Sequence, residues 1–355
     1  MTTHDAGPSG LSLPAPRVLD PSGARPLRWG VIGTGIGARF VAALHANTPQ
    51  RVVVWAARDA ARTQAVARRH GVDRVRTDLR LLVEDPEVDA VYIATPHPLH
   101  RDQALAAIAA GKHVLVEKPM AMTAADATAV TTAAAEAGVL AMEAMWTRYL
   151  PQTDVLCQVL ADGLLGEPRL VRADLGSAVP YDPTSRLWDP ALGGGALLDV
   201  GVYPISLASM VLGPPVAVAA SGTLAPSGVD ASAHVLLSGE GDAAAQLSTS
   251  LVTELPATAV VIGSAGHARV AAPFYAPTGL TVTVRSEGSD GSARTASWTH
   301  PASGDPQGAD DGFAFQATAF AHYVDQGRVE SPLHTHAETV SVLATIDEVR
   351  RQLGA

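Results

Sequence analysis

Leu27-Arg-Trp-Gly-Val-Ile-Gly-Thr-Gly-Ile-Gly-Ala-Arg-Phe40 reads as a short apolar run, a glycine turn and the opening of an apolar helix. The run Trp29 to Ile32 has the length of a buried strand. Gly33, Gly35 and Ala38 occupy the three key places of the pattern G-x-G-x-x-A. Strand, glycine turn and helix in that order is the context in which the pattern means a dinucleotide site. Gly33 permits the tight turn, Gly35 has no side chain to block a pyrophosphate, and Ala38 lets the helix lie close to the strand. The exposed amides of the first helical turn then hold the phosphates.

Around this stretch the chain alternates between strand and helix. Strands are predicted at Arg28–Ile32, Val52–Trp55, Ala90–Thr95, His113–Val116 and Val139–Met142, with helices between them. One helix is expected at Thr123–Ala137, where Thr123 and Asp126 form a capping pair. Such alternation implies a doubly wound parallel sheet. From Arg169 the pattern becomes short consecutive strands with turns between them. They are expected at Val171–Asp174, Val216–Gly222, Ser232–Leu237, Ala244–Val252, Ala259–Ile262, Ala268–Val270 and Gly279–Val284. That spacing implies a largely antiparallel sheet. Loops are expected at Ser286–Ala293 and Pro301–Gly308, and closing helices at Gly312–Gln326 and His336–Leu353. The expected organisation is α/β: a flexible tail over residues 1–26, a dinucleotide-binding domain over 27–147 and an α+β domain with an open sheet over 148–355.

The chain has 355 residues and a formal net charge of −10, which argues against nucleic acid as a partner. No apolar run is read as long enough to span a bilayer. Residues 1–26 lack the basic start and apolar core of a secretory signal. Cys157 is the only cysteine, so no intrachain disulfide forms, and a reducing, cytoplasmic address is expected. Its amphipathic surroundings mark it as a buried apolar group. His334 and His336 lack a third ligand nearby and are read as surface residues, so no metal site is expected. No Gly-x-Ser-x-Gly pattern of a hydrolase is present.

Two further segments carry chemistry. In Gly111-Lys-His-Val-Leu-Val-Glu-Lys-Pro-Met120 a buried strand delivers Lys118 to the end of the sheet where ligands bind. An ammonium there holds a hydroxyl or stabilises charge developing on its oxygen; the competing reading is a surface lysine before a turn proline. In Gly193-Gly-Gly-Ala-Leu-Leu-Asp-Val-Gly-Val-Tyr203-Pro the apolar pattern indicates a buried helix with Asp199 and Tyr203 on one face, i and i+4. Tyr203 is a candidate acid/base; a nearby ammonium would lower the pKa of a phenol and Asp199 would oppose that, so Asp199 is read as an orienting group. A structural aspartate and a wet tyrosine remain the alternative. After the second strand, Ala56-Ala57-Arg58-Asp59 puts Arg58, with Arg62 one turn on, where an NAD site usually places a carboxylate. A guanidinium suits a 2′-phosphate. Asp59 is read as a helix cap. NADP is therefore favoured, with NAD possible.

Together with Thr95-Pro-x-x-x-His100 and Met142-Glu-Ala-Met-Trp-Thr-Arg-Tyr-Leu-Pro151, these segments resemble the glucose–fructose oxidoreductase / inositol dehydrogenase (Gfo/Idh/MocA) family over Leu27–Leu353. The wording is similar to the dimeric dihydrodiol dehydrogenases and NADP-dependent D-xylose dehydrogenases within it. The resemblance implies a Rossmann domain followed by an α+β domain with a large, mostly antiparallel open sheet, and an oxidoreductase acting on a secondary alcohol or lactol of a sugar or cyclic diol. It places the cofactor against Gly33, Thr34, Gly35, Ile36, Gly37, Ala38, Arg58, Arg62, Thr95, Pro96, His100, Glu117 and Lys118. It makes Lys118, Tyr203 and Asp199 catalytic, and sets His97 (where relatives often have asparagine), Trp146 and Arg148 beside the substrate, with an ion pair at the domain seam the equal alternative for Arg148. Tyr203 stands where many relatives have histidine, which disfavours inositol as substrate. The resemblance also suggests a cis Lys118–Pro119 bond and a homodimer formed through the open sheet face. That face is expected to be apolar on alternate residues, as in Ala244–Val252. A non-catalytic NADP-binding regulator of the same fold is the alternative.

Overall fold

Strand β1 (Arg28–Ile32) runs into α1 (Ile36–Asn47), and the alternation continues through β2 (Arg51–Ala56), α2 (Ala60–Arg69), β3 (Val75–Arg76), α3 (Leu79–Val83), β4 (Ala90–Ile93), α4 (His100–Ala109), β5 (His113–Glu117), α5 (Ala124–Ala137) and β6 (Ala141–Ala144). The computed structural model describes residues 10–285, 293–301 and 312–355. The six strands form a parallel sheet in the order β3-β2-β1-β4-β5-β6. This order reverses direction between β1 and β4, so the loops after those two strands flank the crevice in which such sheets bind ligands. The strands stand within two residues of expectation, and β3 carries no sequence signal at its two-residue length.

The chain divides into two units, Leu19–Trp146 with Asp310–Leu343, and Met1–Val18 with Thr147–Ala309 and Ala344–Ala355. The first unit thus takes α8 (Gly312–Asp325), which was expected in the second domain. The reason is aromatic. Trp29 of β1 meets Phe320 at 4.8 Å and Phe40 at 5.5 Å between ring centroids, and Phe40 meets Phe313 at 6.2 Å. Gln50 ties the assembly, accepting from the Trp29 indole at 2.8 Å and donating to the Ala317 carbonyl at 3.1 Å. Burying rings of this size contributes roughly 1.5–3 kcal/mol each. In α5 the Thr123 hydroxyl accepts from the Asp126 amide and donates to its carboxylate, the expected cap.

The second unit holds α6 (Pro151–Ala161), β7 (Pro168–Gly176), α7 (Val202–Leu212), β8 (Ala217–Leu224), β9 (Asp230–Ser238), β10 (Ala244–Ser250), β11 (Ala259–Gly263), β12 (Gly266–Val270), β13 (Gly279–Arg285) and β14 (Ala293–Thr299). Helix α9 (His336–Leu353) ends the chain. The eight strands run β14-β13-β12-β11-β7-β10-β9-β8, antiparallel except for the β7–β10 pair. The expected loops at Ser286–Ala293 and Pro301–Gly308 lie outside the described residues, save Ala293, which opens β14, and Pro301.

Four expectations change here. From Gly10 the tail is packed: Leu11 and Leu13 are buried, Arg17 pairs with Asp154, and Gln158 donates to the Ala15 carbonyl. Cys157 is half-buried with its sulfur 3.9 Å from that of Met210. The stretch Pro190–Leu212 is in fact long and apolar enough to cross a bilayer, but 61% of its most apolar window is buried inside the protein, so its apolarity is that of a core helix. Last, the open face of the second sheet is mixed rather than apolar. The apolar residues of β10, Ala245 and Leu247, face the covered side, while Gln246 and Ser248 face out beside Arg172, His234 and Arg269.

Candidate active site

At the carboxyl end of β1, Gly33 has φ +104°, and a Cβ there would stand 2.2 Å from the Ala94 carbonyl oxygen. Only glycine lets the two loops at the switch point meet. Gly33 is held from both sides, its amide donating to Ala56 and its carbonyl accepting from the Trp55 indole at 2.8 Å. Gly35 caps α1 without any side-chain hydrogen bond. A Cβ on Gly35 would meet nothing within 4 Å, so the space over the first turn is open. An uncapped helix start beside open space fits a dinucleotide pyrophosphate. Thr34, Ile36, Gly37 and Ala38 form the rest of that turn. Arg58 and Arg62 are exposed at the end of β2, and the Asp59 carboxylate accepts from the Arg62 amide at 3.0 Å as the cap of α2.

Around Lys118 the sheet end is tightly bonded. The Lys118–Pro119 bond is cis. The Tyr92 hydroxyl donates to Glu117 Oε1, and Glu117 Oε2 accepts from the Lys118 amide at 3.2 Å. Burial pushes the Glu117 carboxyl above its ordinary pKa, against the pull of Tyr92 and Lys118. His100, expected against the cofactor, is fully buried, with Nδ1 at 2.9 Å from the Pro119 carbonyl and Nε2 at 2.8 Å from that of Thr95. Burial lowers its pKa, with the two carbonyls opposing. A ring that bridges two backbone loops is a strut with no face for a ligand. Glu117 is similarly committed, and His97 is buried with its ring 5.6 Å from that of His100. Pro96 and Thr95 sit in the loop that His100 braces, where the Thr95 hydroxyl donates to Gln103 at 2.7 Å. Trp146, expected beside the substrate, is 6% exposed and stacks on Phe313 at 4.7 Å, so it is core.

In the second unit the helix carrying Tyr203 opens with a π turn, Leu197–Gly201, before α7. Such wide turns recur at functional sites. They also break the simple i, i+4 stacking expected of Asp199 and Tyr203, because the turn holds more than 3.6 residues. Tyr203 is half-buried beside Tyr275, centroids 5.7 Å apart. Asp199, with 16% of its side chain exposed, pairs with Arg186 at 3.0 Å. Arg148 is buried and grips α7, donating to the Ser206 hydroxyl at 3.0 Å and to its carbonyl at 2.9 Å. It thus braces the helix that carries Tyr203.

Three residues take places that the sequence reading did not give them. Arg186 lies in the loop before the triple glycine, anchored by buried Trp188, whose indole donates to the Pro180 carbonyl at 3.0 Å. The other two are His334 and Asp230. His334 is buried, not on the surface, and contacts Glu143 at 2.7 Å. Asp230 is buried and accepts from the Leu197 amide at 2.6 Å, so it caps the π turn. Gly195 makes room for it: φ is +115°, and a Cβ would stand 2.3 Å from Asp230 Oδ1. No local pattern announces these partners, since each pair is distant in sequence. Among the described residues no group of three or more metal-ligating side chains is present.

Burial lifts the Asp230 carboxyl from 3.8 to about 6, against the pull of the Leu197 amide. The unfolded chain therefore loses this proton at about pH 4 and the folded chain near pH 6. Stability falls as pH rises through that window and stays lower above it, by up to about 3 kcal/mol. Asp230→Asn keeps an oxygen for Leu197 and removes the ionisation. In urea unfolding it is expected to match the wild type near pH about 4 and to exceed it by roughly 1–3 kcal/mol near pH about 8. Parallel stability curves for the two proteins across that range would contradict the assignment.

Residues 27–145 match the profile of the "Oxidoreductase family, NAD-binding Rossmann fold" of GFO_IDH_MocA, and residues 154–269 match the GFO/IDH/MocA C-terminal domain. The chain is 34% identical over 335 residues to trans-1,2-dihydrobenzene-1,2-diol dehydrogenase of Macaca fascicularis, covering 92% of this chain and 97% of that one. Among solved structures it is similar to a levoglucosan dehydrogenase with NADH and levoglucosan (TM-score 0.82, 23% identity, 93% and 98% covered), a likeness of fold. It is also similar to a 3-ketoreductase from Actinomadura kijaniata with NADP and TDP-benzene (TM-score 0.77, 28% identity, 93% and 98% covered). With its nucleotide turn, its Lys118 segment and both domains matched, the chain belongs to the Gfo/Idh/MocA family and is an NAD(P)-dependent oxidoreductase acting on CH–OH groups.

Proposed function

We propose that the protein uses NADP to oxidise, or its reduced form to make, a secondary alcohol or lactol of a sugar or cyclic diol. The observation that carries the reading is Lys118, presented at the carboxyl end of β5 in the same sheet edge as the open glycine turn. When bound, the nicotinamide accepts or returns the hydride, and the protein supplies placement. Tyr203 takes the hydroxyl proton in oxidation and returns it in reduction, since O–H must be lost as C–H is. Lys118 holds the substrate oxygen and stabilises charge developing on it. Asp199, tied to Arg186, orients rather than accepts. The diol and sugar dehydrogenases among the relatives support this reading over a regulator, and Lys118, Asp199 and Tyr203 are all present. Use of a substrate deuterated at the carbinol carbon tests it. The label is expected in the reduced cofactor, and its appearance in water instead would contradict direct transfer.

The choice of NADP rests on Arg58 being exposed at the end of β2 while Asp59 is engaged as a cap. Arg58→Ala is expected to weaken NADP binding by roughly tenfold or more, the scale of a charge-assisted contact, and to leave NAD almost unchanged. Equal affinities for the two cofactors in the wild type would overturn the preference. A homodimer through the open sheet face is also proposed. Its support is Leu236, an apolar side chain of β9 that is 56% exposed. A monomeric mass by light scattering at micromolar concentration would contradict it. A cytoplasmic location accords with the lone cysteine.

A further inference from the structure

The backbone around Lys118 is gripped residue by residue. Glu117 Oε2 takes the Lys118 amide, His100 Nδ1 meets the Pro119 carbonyl, and Glu143 Oε1 takes the Met120 amide at 2.7 Å. The three side chains come from β5, α4 and β6. The Glu143 grip is the costliest, because Glu143 is 2% exposed and burying a carboxylate is expensive unless both oxygens are matched. They are matched: Oε2 lies 2.7 Å from Nε2 of buried His334, whose Nδ1 has no hydrogen-bond partner. The ring proton therefore belongs on Nε2, donated to Glu143. Satisfying one backbone amide does not require a buried carboxyl group. A carboxylate fixed at both oxygens does something more: it cannot change rotamer, so Met120, two residues past Lys118, cannot slide.

We propose that Glu143, backed by His334, is a positioning residue that sets Lys118 for the reaction. This deepens the functional reading above and rests on it. A displacement of about 1 Å at a reacting group can cost on the order of a hundredfold in rate, so a brace of this kind acts on kcat more than on binding.

The test is a double-mutant cycle on the full-length protein with NADP and a turned-over substrate. Glu143→Ala is expected to lower kcat by roughly thirtyfold while NADP affinity stays within about threefold. Glu143→Gln, which still accepts from Met120, is expected to recover most of the loss. On a Lys118→Met background, adding Glu143→Ala is expected to change the residual kcat by less than about threefold, because a brace has nothing left to position. If Glu143→Ala does not fold, His334→Ala, which spares the Met120 bond, takes its place in the cycle. A smaller loss of about fivefold is then expected, again absent on the Lys118→Met background. A loss that multiplies in full on that background overturns the proposal. So does a folded Glu143→Ala with unchanged kcat beside an inactive Lys118→Met. Near-normal turnover in Lys118→Met overturns the functional reading itself, and the proposal with it.

Discussion

Lys118→Met is expected to reduce kcat by on the order of a hundredfold to a thousandfold, the scale seen when a preorganised charge is removed from a developing oxyanion. Methionine matches the length of the lysine stem, and the bonds that hold this segment are made by the backbone of residues 118–120, so the fold is expected to survive. The loss arises because the substrate oxygen no longer has a cationic contact. Steady-state kinetics on the purified variant checks it; turnover within a few-fold of the wild type would remove Lys118 from the chemistry.

Tyr203→Phe is expected to cut turnover by about a hundredfold or more, the usual contribution of a positioned acid/base. Phenylalanine keeps the ring that lies 5.7 Å from Tyr275, so the start of α7 is expected to stay intact. Cofactor affinity is expected to change little, because Tyr203 belongs to the unit that lacks the glycine turn. The rival assignment gives the proton to Lys118 or His100 and leaves Tyr203 to pack. His100 is a poor carrier, since both ring nitrogens face backbone carbonyls in a buried site. The contest is therefore between Tyr203 and Lys118. If Tyr203→Phe keeps most of its activity and the same basic limb of the pH–rate profile, the role passes to Lys118.

What was legible in the sequence is what repeats locally. The nucleotide turn could be read at Gly33, Gly35 and Ala38 because strand, turn and helix are contiguous. Seven strands of the second sheet could be read because each is bounded by its own turns, whereas β14 was missed. The π turn at Leu197–Gly201 could not, since its apolar residues satisfy an ordinary helix equally well. The placement of α8 in the first unit depends on Phe313 and Phe320 finding Trp29 and Phe40, nearly three hundred residues away in the chain. Site residues divide the same way. Lys118, Tyr203 and the glycine turn are motif-borne, whereas the partners that hold them are long-range: Glu143 with His334, Asp230 with Leu197, Arg186 with Asp199. His100, Glu117, Trp146 and Arg148 carried family motifs and were read as ligand contacts. All four are buried, and the long-range packing that buries them carries no signal in the local sequence.

Binding of a nicotinamide cofactor alone does not separate a catalyst from a regulator, because a dinucleotide-binding glycine turn serves both. The direct measurement is cofactor binding and turnover on one preparation, with NADP and a panel of aldoses and cyclic diols assayed in both directions. The account predicts NADP binding together with turnover of at least one panel member, abolished in Lys118→Met and Tyr203→Phe. Tight NADP binding with no turnover of any member in either direction would contradict it.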